Sequence, residues 1–217
     1  MAGWLDVIDL GSYADVAKVT IADAHALAIS PSGNRVYVTT TTGMVHAVNT
    51  STRQIVGTVG VPNGPWGIAF RTTATDTLMY VTSRDGGTIT EVDTKTMTVR
   101  RTFNIGGRPH GLVISPDGQT LYAADNSIGR VVAVSTSSGA ITGSVSVAGA
   151  FGIAISPDGS TLFVTTDGSR AAVITASSLT VTKFYDTSSR GRQLVAEPDG
   201  TSALSANEGG WVDIIKR

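Results

Sequence analysis

Gly111-Leu112-Val113-Ile114-Ser115-Pro116-Asp117-Gly118 is the stretch that decides the fold. Its turn, Ser115-Pro116-Asp117-Gly118, returns as Ser156-Pro157-Asp158-Gly159, as Glu197-Pro198-Asp199-Gly200 and, upstream, as Ser30-Pro31-Ser32-Gly33. Pro116, Pro157 and Pro198 are spaced by 41 residues, whereas Pro31 lies 85 residues before Pro116. The double step hides one more copy, whose turn is read at Arg71–Asp76. Proline at the second place and glycine at the fourth suit a tight reversal between two strands. A repeat of about 40–50 residues built from short strands is the mark of a β-propeller.

Outward from the turn, the third copy reads as strands over Gly111–Ser115, Thr120–Ala124, Arg130–Ser135 and Ile141–Val147. Runs such as Val131-Val132-Ala133-Val134 have strand character, and no stretch has a helical period. Copies begin at Ala26, Gly67, Gly111, Gly152 and Gln193. The expected fold is all-β: a five-bladed β-propeller of four-stranded antiparallel blades, one domain over 1–217. Its repeats cover about 25–65, 66–109, 110–150, 151–191 and 192–217, with N-terminal strands in 4–22.

The last copy holds only three strands. Trp4–Leu10 and Ala17–Ile21 match the third and fourth strands of a blade. Gly3-Trp4-Leu5-Asp6-Val7-Ile8 also parallels Gly210-Trp211-Val212-Asp213-Ile214-Ile215. Pairing of the N- and C-terminal strands is therefore expected to close the ring and leave no long free edge. One strand is then surplus, either Trp4–Leu10 or Trp211–Lys216. A monomer is the expected form, with a dimer through the spare strand as the alternative.

Composition narrows the partners. Sixteen basic residues balance 17 acidic ones without a run of either sign, which argues against nucleic acid or an anionic membrane surface. The absence of cysteine excludes disulfides, thiolate metal sites and cysteine nucleophiles. No apolar run approaches the roughly 20 residues of a membrane helix. Met1-Ala2-Gly3-Trp4-Leu5-Asp6 does not read as a signal peptide, so a cytoplasmic location is expected.

Pro109-His110-Gly111-Leu112-Val113-Ile114-Ser115-Pro116-Asp117-Gly118, followed by Leu121-Tyr122-Ala123-Ala124-Asp125-Asn126, resembles the YVTN family of β-propeller repeats. Arg35-Val36-Tyr37-Val38-Thr39-Thr40 and Leu78-Met79-Tyr80-Val81-Thr82-Ser83 carry the same likeness, which extends over nearly the whole chain. The resemblance is specific for fold. For activity it implies a range that includes lactonase-like enzymes, lyases and binding proteins. Family members often have seven blades, where this chain reads as five.

The residue before each first strand is His25, Trp66, His110, Phe151 or Arg192, at steps of 41, 44, 41 and 41. Equivalent positions in a propeller converge at one mouth of the channel, so these five are expected to meet. The loops between second and third strands, carrying Asp85, Asp125, Asn126, Asp167, Asn207 and Glu208, should surround them on the same face. His25 and His110 are the candidate general acid or base, with Glu208 or Asp125 as orienter and Arg192 as anion clamp. Closure of the ring would place Glu208 and Arg192 near enough to approach His25, and Arg192 is expected to pair with a nearby carboxylate such as Glu208. Trp66 and Phe151 offer planes for stacking on a flat ligand. His46, whose counterparts are Thr90, Val132 and Ala172, reads as sheet packing.

These residues point to a small-molecule enzyme using acid–base chemistry at the channel mouth: elimination, cyclisation, isomerisation or hydrolysis. The alternative is a non-catalytic ligand-binding or protein-interaction scaffold. No cofactor is expected. A divalent metal shared by His25, His110 and Glu208 is a lesser alternative, because Trp66 stands between the two histidines.

Overall fold

Wherever a Ser-Pro-Asp-Gly turn stands, it makes the reversal its residues suit. Gly118 N–H donates to the Ser115 carbonyl at 2.8 Å, and Asp117 Oδ1 accepts from Gln119 N–H at 2.9 Å. Gly118 sits at φ 70°, in the left-handed region that glycine enters without steric cost. The computed structural model describes residues 3–72 and 77–217. The disguised turn read at Arg71–Asp76 therefore lies, over 73–76, outside the described residues.

The described residues form 21 strands and no helix. A hairpin of β1 (Trp4–Ile8) and β2 (Asp15–Thr20) precedes the blades. Blade 1 is β3 (Ala24–Ile29), β4 (Arg35–Thr40), β5 (Met44–Asn49) and β6 (Ile55–Gly60). Blade 2 is β7 (Pro65–Thr72), β8 (Thr77–Ser83), β9 (Thr88–Asp93) and β10 (Thr98–Asn104). Blade 3 is β11 (Pro109–Ile114), β12 (Thr120–Asp125), β13 (Arg130–Ser135) and β14 (Ile141–Ser146). Blade 4 is β15 (Ala150–Ile155), β16 (Thr161–Thr166), β17 (Arg170–Thr175) and β18 (Thr180–Asp186). Blade 5 is β19 (Gly191–Ala196), β20 (Ser202–Asn207) and β21 (Val212–Lys216). Each blade is an antiparallel meander in chain order, so the all-β propeller is as expected.

The core lies between blades. Tyr37, Val45 and Val61 of blade 1 and its exit meet Met79, Val81 and Val92 of blade 2. Equivalent clusters join blades 2 and 3, 3 and 4, and 4 and 5. Each fully buried aliphatic side chain there contributes about 1.5–3 kcal/mol.

The termini depart from the expectation. β2 pairs with β1 over its length, not with β21, so no terminal ladder closes the ring among the described residues. The hairpin is joined by a short turn, and such local pairing costs far less chain entropy than bringing distant segments together. It packs Leu5, Val19 and Ile21 onto Val36, Val38 and Val48 of blade 1.

Innermost strands β7, β11 and β15 each approach the next blade through one glycine. A Cβ at Gly67 would lie 2.5 Å from the His110 carbonyl oxygen, and one at Gly152 would lie 2.5 Å from that of Arg192. Replacing Gly67 with alanine is expected to cost about 2 kcal/mol in thermal or denaturant unfolding. Gly60→Ala, where nothing lies within 4 Å, should change stability by less than about 0.5 kcal/mol.

Candidate functional site

Each of His25, Trp66, His110, Phe151 and Arg192 is the second residue of its blade's innermost strand, and the five come together. The His25 and Trp66 rings have centroids 3.6 Å apart. Trp66 meets His110 edge-on at 4.9 Å and Phe151 edge-on at 5.8 Å. His110 and Phe151 stack at 4.4 Å with a tilt of 30°. The Arg192 guanidinium lies 4.6 Å from the Phe151 centroid, and that of Arg84 lies 5.1 Å from Trp66. Further along the same strands, Leu27, Ile68, Leu112, Ile153 and Leu194 line a central cavity of about 90 Å³.

Threonines that the repeat pattern alone did not single out set the backbone of this cluster. Thr82 Oγ1 accepts from Gly67 N–H at 2.8 Å and donates to the His110 carbonyl at 2.8 Å, so it ties blade 2 to blade 3. Thr39 does the same between blades 1 and 2, at 3.1 Å from Ala26 N–H and a looser 3.5 Å to the Trp66 carbonyl. Thr165 Oγ1 accepts from Gly152 N–H at 3.0 Å. These residues share one register, the second-last place of the second strand, and could have been found by aligning the copies.

His110 is 6% exposed. Burial first, then the positive charges of Arg84, Arg108 and Arg192, pushes its pKa down to about 4, against the opposing effect of its bond to the Arg108 carbonyl. The imidazole is therefore neutral at pH 7. Its Nδ1–H donates to that carbonyl at 3.0 Å, leaving Nε2 as the nitrogen with a free lone pair. Among the described residues the expected carboxylate orienter, Asp125, makes no hydrogen bond to the ring. Asp125 Oδ1 instead accepts from Arg108 N–H at 2.9 Å and Oδ2 pairs with Arg130 Nε at 3.2 Å, so it acts on His110 through the Arg108 peptide.

His25 is exposed at the edge of the cluster, yet water lost against Trp66, and then the Arg84 charge, lowers its pKa below the usual 6.5. Glu208 and Arg192 pair with each other, Oε1 accepting from Nε at 2.6 Å. Among the described residues neither makes a hydrogen bond to His25. Asp85 receives both Arg84, at 2.9 Å, and Arg108, at 2.8 Å, and those guanidiniums, Arg84 first, lower its pKa. Asn126 Nδ2 donates to Asp167 Oδ2 at 3.1 Å, linking blades 3 and 4. Asn207 braces its own loop, accepting from Trp211 N–H at 3.1 Å and donating to Asp213 at 2.7 Å. Arg108 was not singled out from the sequence, because its loop position precedes the repeated register. His46 hydrogen-bonds Thr58 across β5 and β6 at 3.0 Å, as packing within the sheet requires. Among the described residues no three metal-type ligands converge.

No family model matches the sequence. Over 99 residues, 45% of this chain, it is 30% identical to the uncharacterized protein YncE of Salmonella typhimurium, and to the same extent to YncE of Salmonella typhi. The match spans 27% of the length of those relatives. In structure the chain resembles a chain of Kuenenia stuttgartiensis hydrazine synthase, with a TM-score of 0.68 at 16% identity, over 99% of this chain and 89% of that one. That likeness is one of fold.

A histidine whose pKa is lower in the folded state binds its proton in the unfolded chain first, so folding stability falls as pH drops from about 6.5 to about 4. His110 alone should account for roughly 3 kcal/mol of that loss. His110→Gln is expected to flatten the dependence over this window relative to the parent, as read by urea unfolding at a series of pH values.

Proposed function

Taking this chain as a β-propeller of the YVTN type, we propose that its channel mouth performs acid–base chemistry on a small planar organic anion. The observation that carries the reading is the arrangement of the five equivalent positions. Two imidazoles held neutral at pH 7 are stacked with two aromatic planes, and guanidiniums lie over those planes. Aromatic faces favour a flat ligand. The Arg192 donors not used by Glu208 favour a carboxylate or a developing oxyanion.

In this reading His25 is the general base. It is exposed, and its lowered pKa leaves it unprotonated at neutral pH and ready to take a proton from the carbon or oxygen beside the anionic group. His110, buried and fixed in one tautomer by the Arg108 carbonyl, offers Nε2 as a hydrogen-bond acceptor that positions the substrate. Glu208 holds Arg192 over Phe151. Elimination, cyclisation and isomerisation begin with such a transfer from the substrate, whereas in hydrolysis the same base takes the proton from the attacking water.

A second reading, binding without turnover, is favoured by the burial of His110 and by the pairing of Arg192 with Glu208 before any ligand arrives. A panel of planar carboxylates and lactones separates the two. For a converted compound, His25→Ala should lower kcat by about 10²–10⁴ with little change in affinity, whereas Trp66→Ala should chiefly weaken binding. The kcat/KM profile should rise with pH through a limb below 6.5 and level off by neutrality. Full turnover in both His25→Ala and His110→Ala would overturn the catalytic assignment; saturable binding with no conversion would favour the second reading.

A further inference from the structure

Two segments of this chain carry the same strand, and each is satisfied on one side only. Aligned through Trp4 and Trp211, Leu5 and Val7 of β1 correspond to Val212 and Ile214 of β21, and Ile8 corresponds to Ile215. β1 packs Leu5 against blade 1, but its Ile8 is 55% exposed. β21 does the reverse: Ile215 is buried among Phe163, Val173 and Ala203, while Val212 and Ile214 are 63% and 59% exposed. One strand lying between blade 4 and blade 1 would bury both sets.

The place for such a strand is open. Among the described residues β1 pairs only with β2, so its other edge has no ladder there. Between the hairpin and blade 1 is an apolar cleft of about 310 Å³ lined by Leu5, Val7, Ile8, Leu27, Val36 and Val48. Leu27 and Ile29 are 60% and 58% exposed, whereas their counterparts Ile68 and Phe70 pack in the interface between blades 1 and 2. Val195, on the free face of blade 5, is likewise 60% exposed.

We propose that β1 is an alternative third strand of blade 5. It takes the edge of β20 now held by β21, giving the sheet order β19-β20-β1-β2, and completes a ring of five four-stranded blades with β21 released. The exchange replaces one backbone ladder by an equivalent one and removes the exposed apolar faces of blades 1 and 5 from water. All five innermost strands already line one central cavity, with Leu27 of blade 1 and Leu194 of blade 5 on the same lining, so the proposal places the exchange within one chain. Gln193 stands where blades 2 to 4 have glycine, so the new contact is a wide one, as Ala26 makes the contact between blades 1 and 2.

A chain without cysteine allows a direct test. Leu204 is paired with Ile214 in the β20–β21 ladder, and Val7 is the equivalent of Ile214. The doubly substituted chain Leu204→Cys/Val7→Cys should form a disulfide within one chain on mild oxidation, read by non-reducing electrophoresis and intact mass. Leu204→Cys/Ile214→Cys serves as the control of equal register. A disulfide in the control alone overturns the proposal. A Leu204→Cys/Val7→Cys product that joins two chains overturns its intramolecular form and assigns the exchange to a second copy. Independently, Ile8→Asp should lower the thermal midpoint of the unmodified protein, and an unchanged midpoint would show that β1 never enters the blade.

Discussion

The approach of each innermost strand to the carbonyl groups of the next blade is the constraint on which the rest of this structure depends. At Gly67, Gly111 and Gly152 a methyl group would stand 2.5–2.8 Å from a backbone oxygen of the following blade, a distance that close-packed atoms do not tolerate. Each glycine directly follows a residue of the mouth cluster. The same approach that brings the strands together therefore presses Trp66, His110 and Phe151 into mutual ring contact. Thr82 completes the junction by bridging two backbones through one hydroxyl. Where alanine replaces glycine, at Ala26, the bridge from Thr39 lengthens to 3.5 Å and the adjoining His25 stays open to solvent.

Packing between neighbours also explains where the molecule is incomplete. Apolar clusters lie at the junctions, so stability accumulates from one blade to the next, as in other repeat architectures. Interior blades are covered on both faces. Blade 1 is covered on its outer part by the β1–β2 hairpin, and the free face of blade 5 shows Val195, Val212 and Ile214 to water. Sheet faces and edges of this kind are ones that β proteins commonly cover or pair.

Electrostatics at the mouth follow from the same geometry. Burying His110 among aromatic rings raises the cost of its charged form, and the nearby guanidiniums of Arg84, Arg108 and Arg192 raise it further. Acidic residues that would oppose this effect are engaged elsewhere: Asp85 between Arg84 and Arg108, Asp125 with Arg130, and Glu208 with Arg192. Neutral imidazoles beside fixed cations suit proton acceptance next to an anionic group, a pairing of roles that a charged histidine would forfeit.

Much of the fold was legible in local signals. A turn that recurs at 41-residue steps over the last three copies, its glycine suited to the left-handed region, and alternating apolar strands specify the blades with no knowledge of distant contacts. Near-equal spacing likewise placed His25, Trp66, His110, Phe151 and Arg192 at equivalent positions, because strand registers repeat when the turns between them do. Partner choice was not legible. Asp125 and Arg108 reach His110 only through a peptide whose position depends on the loop conformation, and Arg84, which the Pro65–Ser83 pairing sets beside Trp66 within blade 2, reaches Asp85 as well, whose other partner is Arg108 of the next loop. The pairing of β2 was equally beyond sequence, since β1 and β21 present the same pattern to it. Local pattern thus determined the blades and the positions that face the channel. Tertiary structure decided which side chains engage there and which of two like strands is paired, because those outcomes rest on distances between segments far apart in the chain.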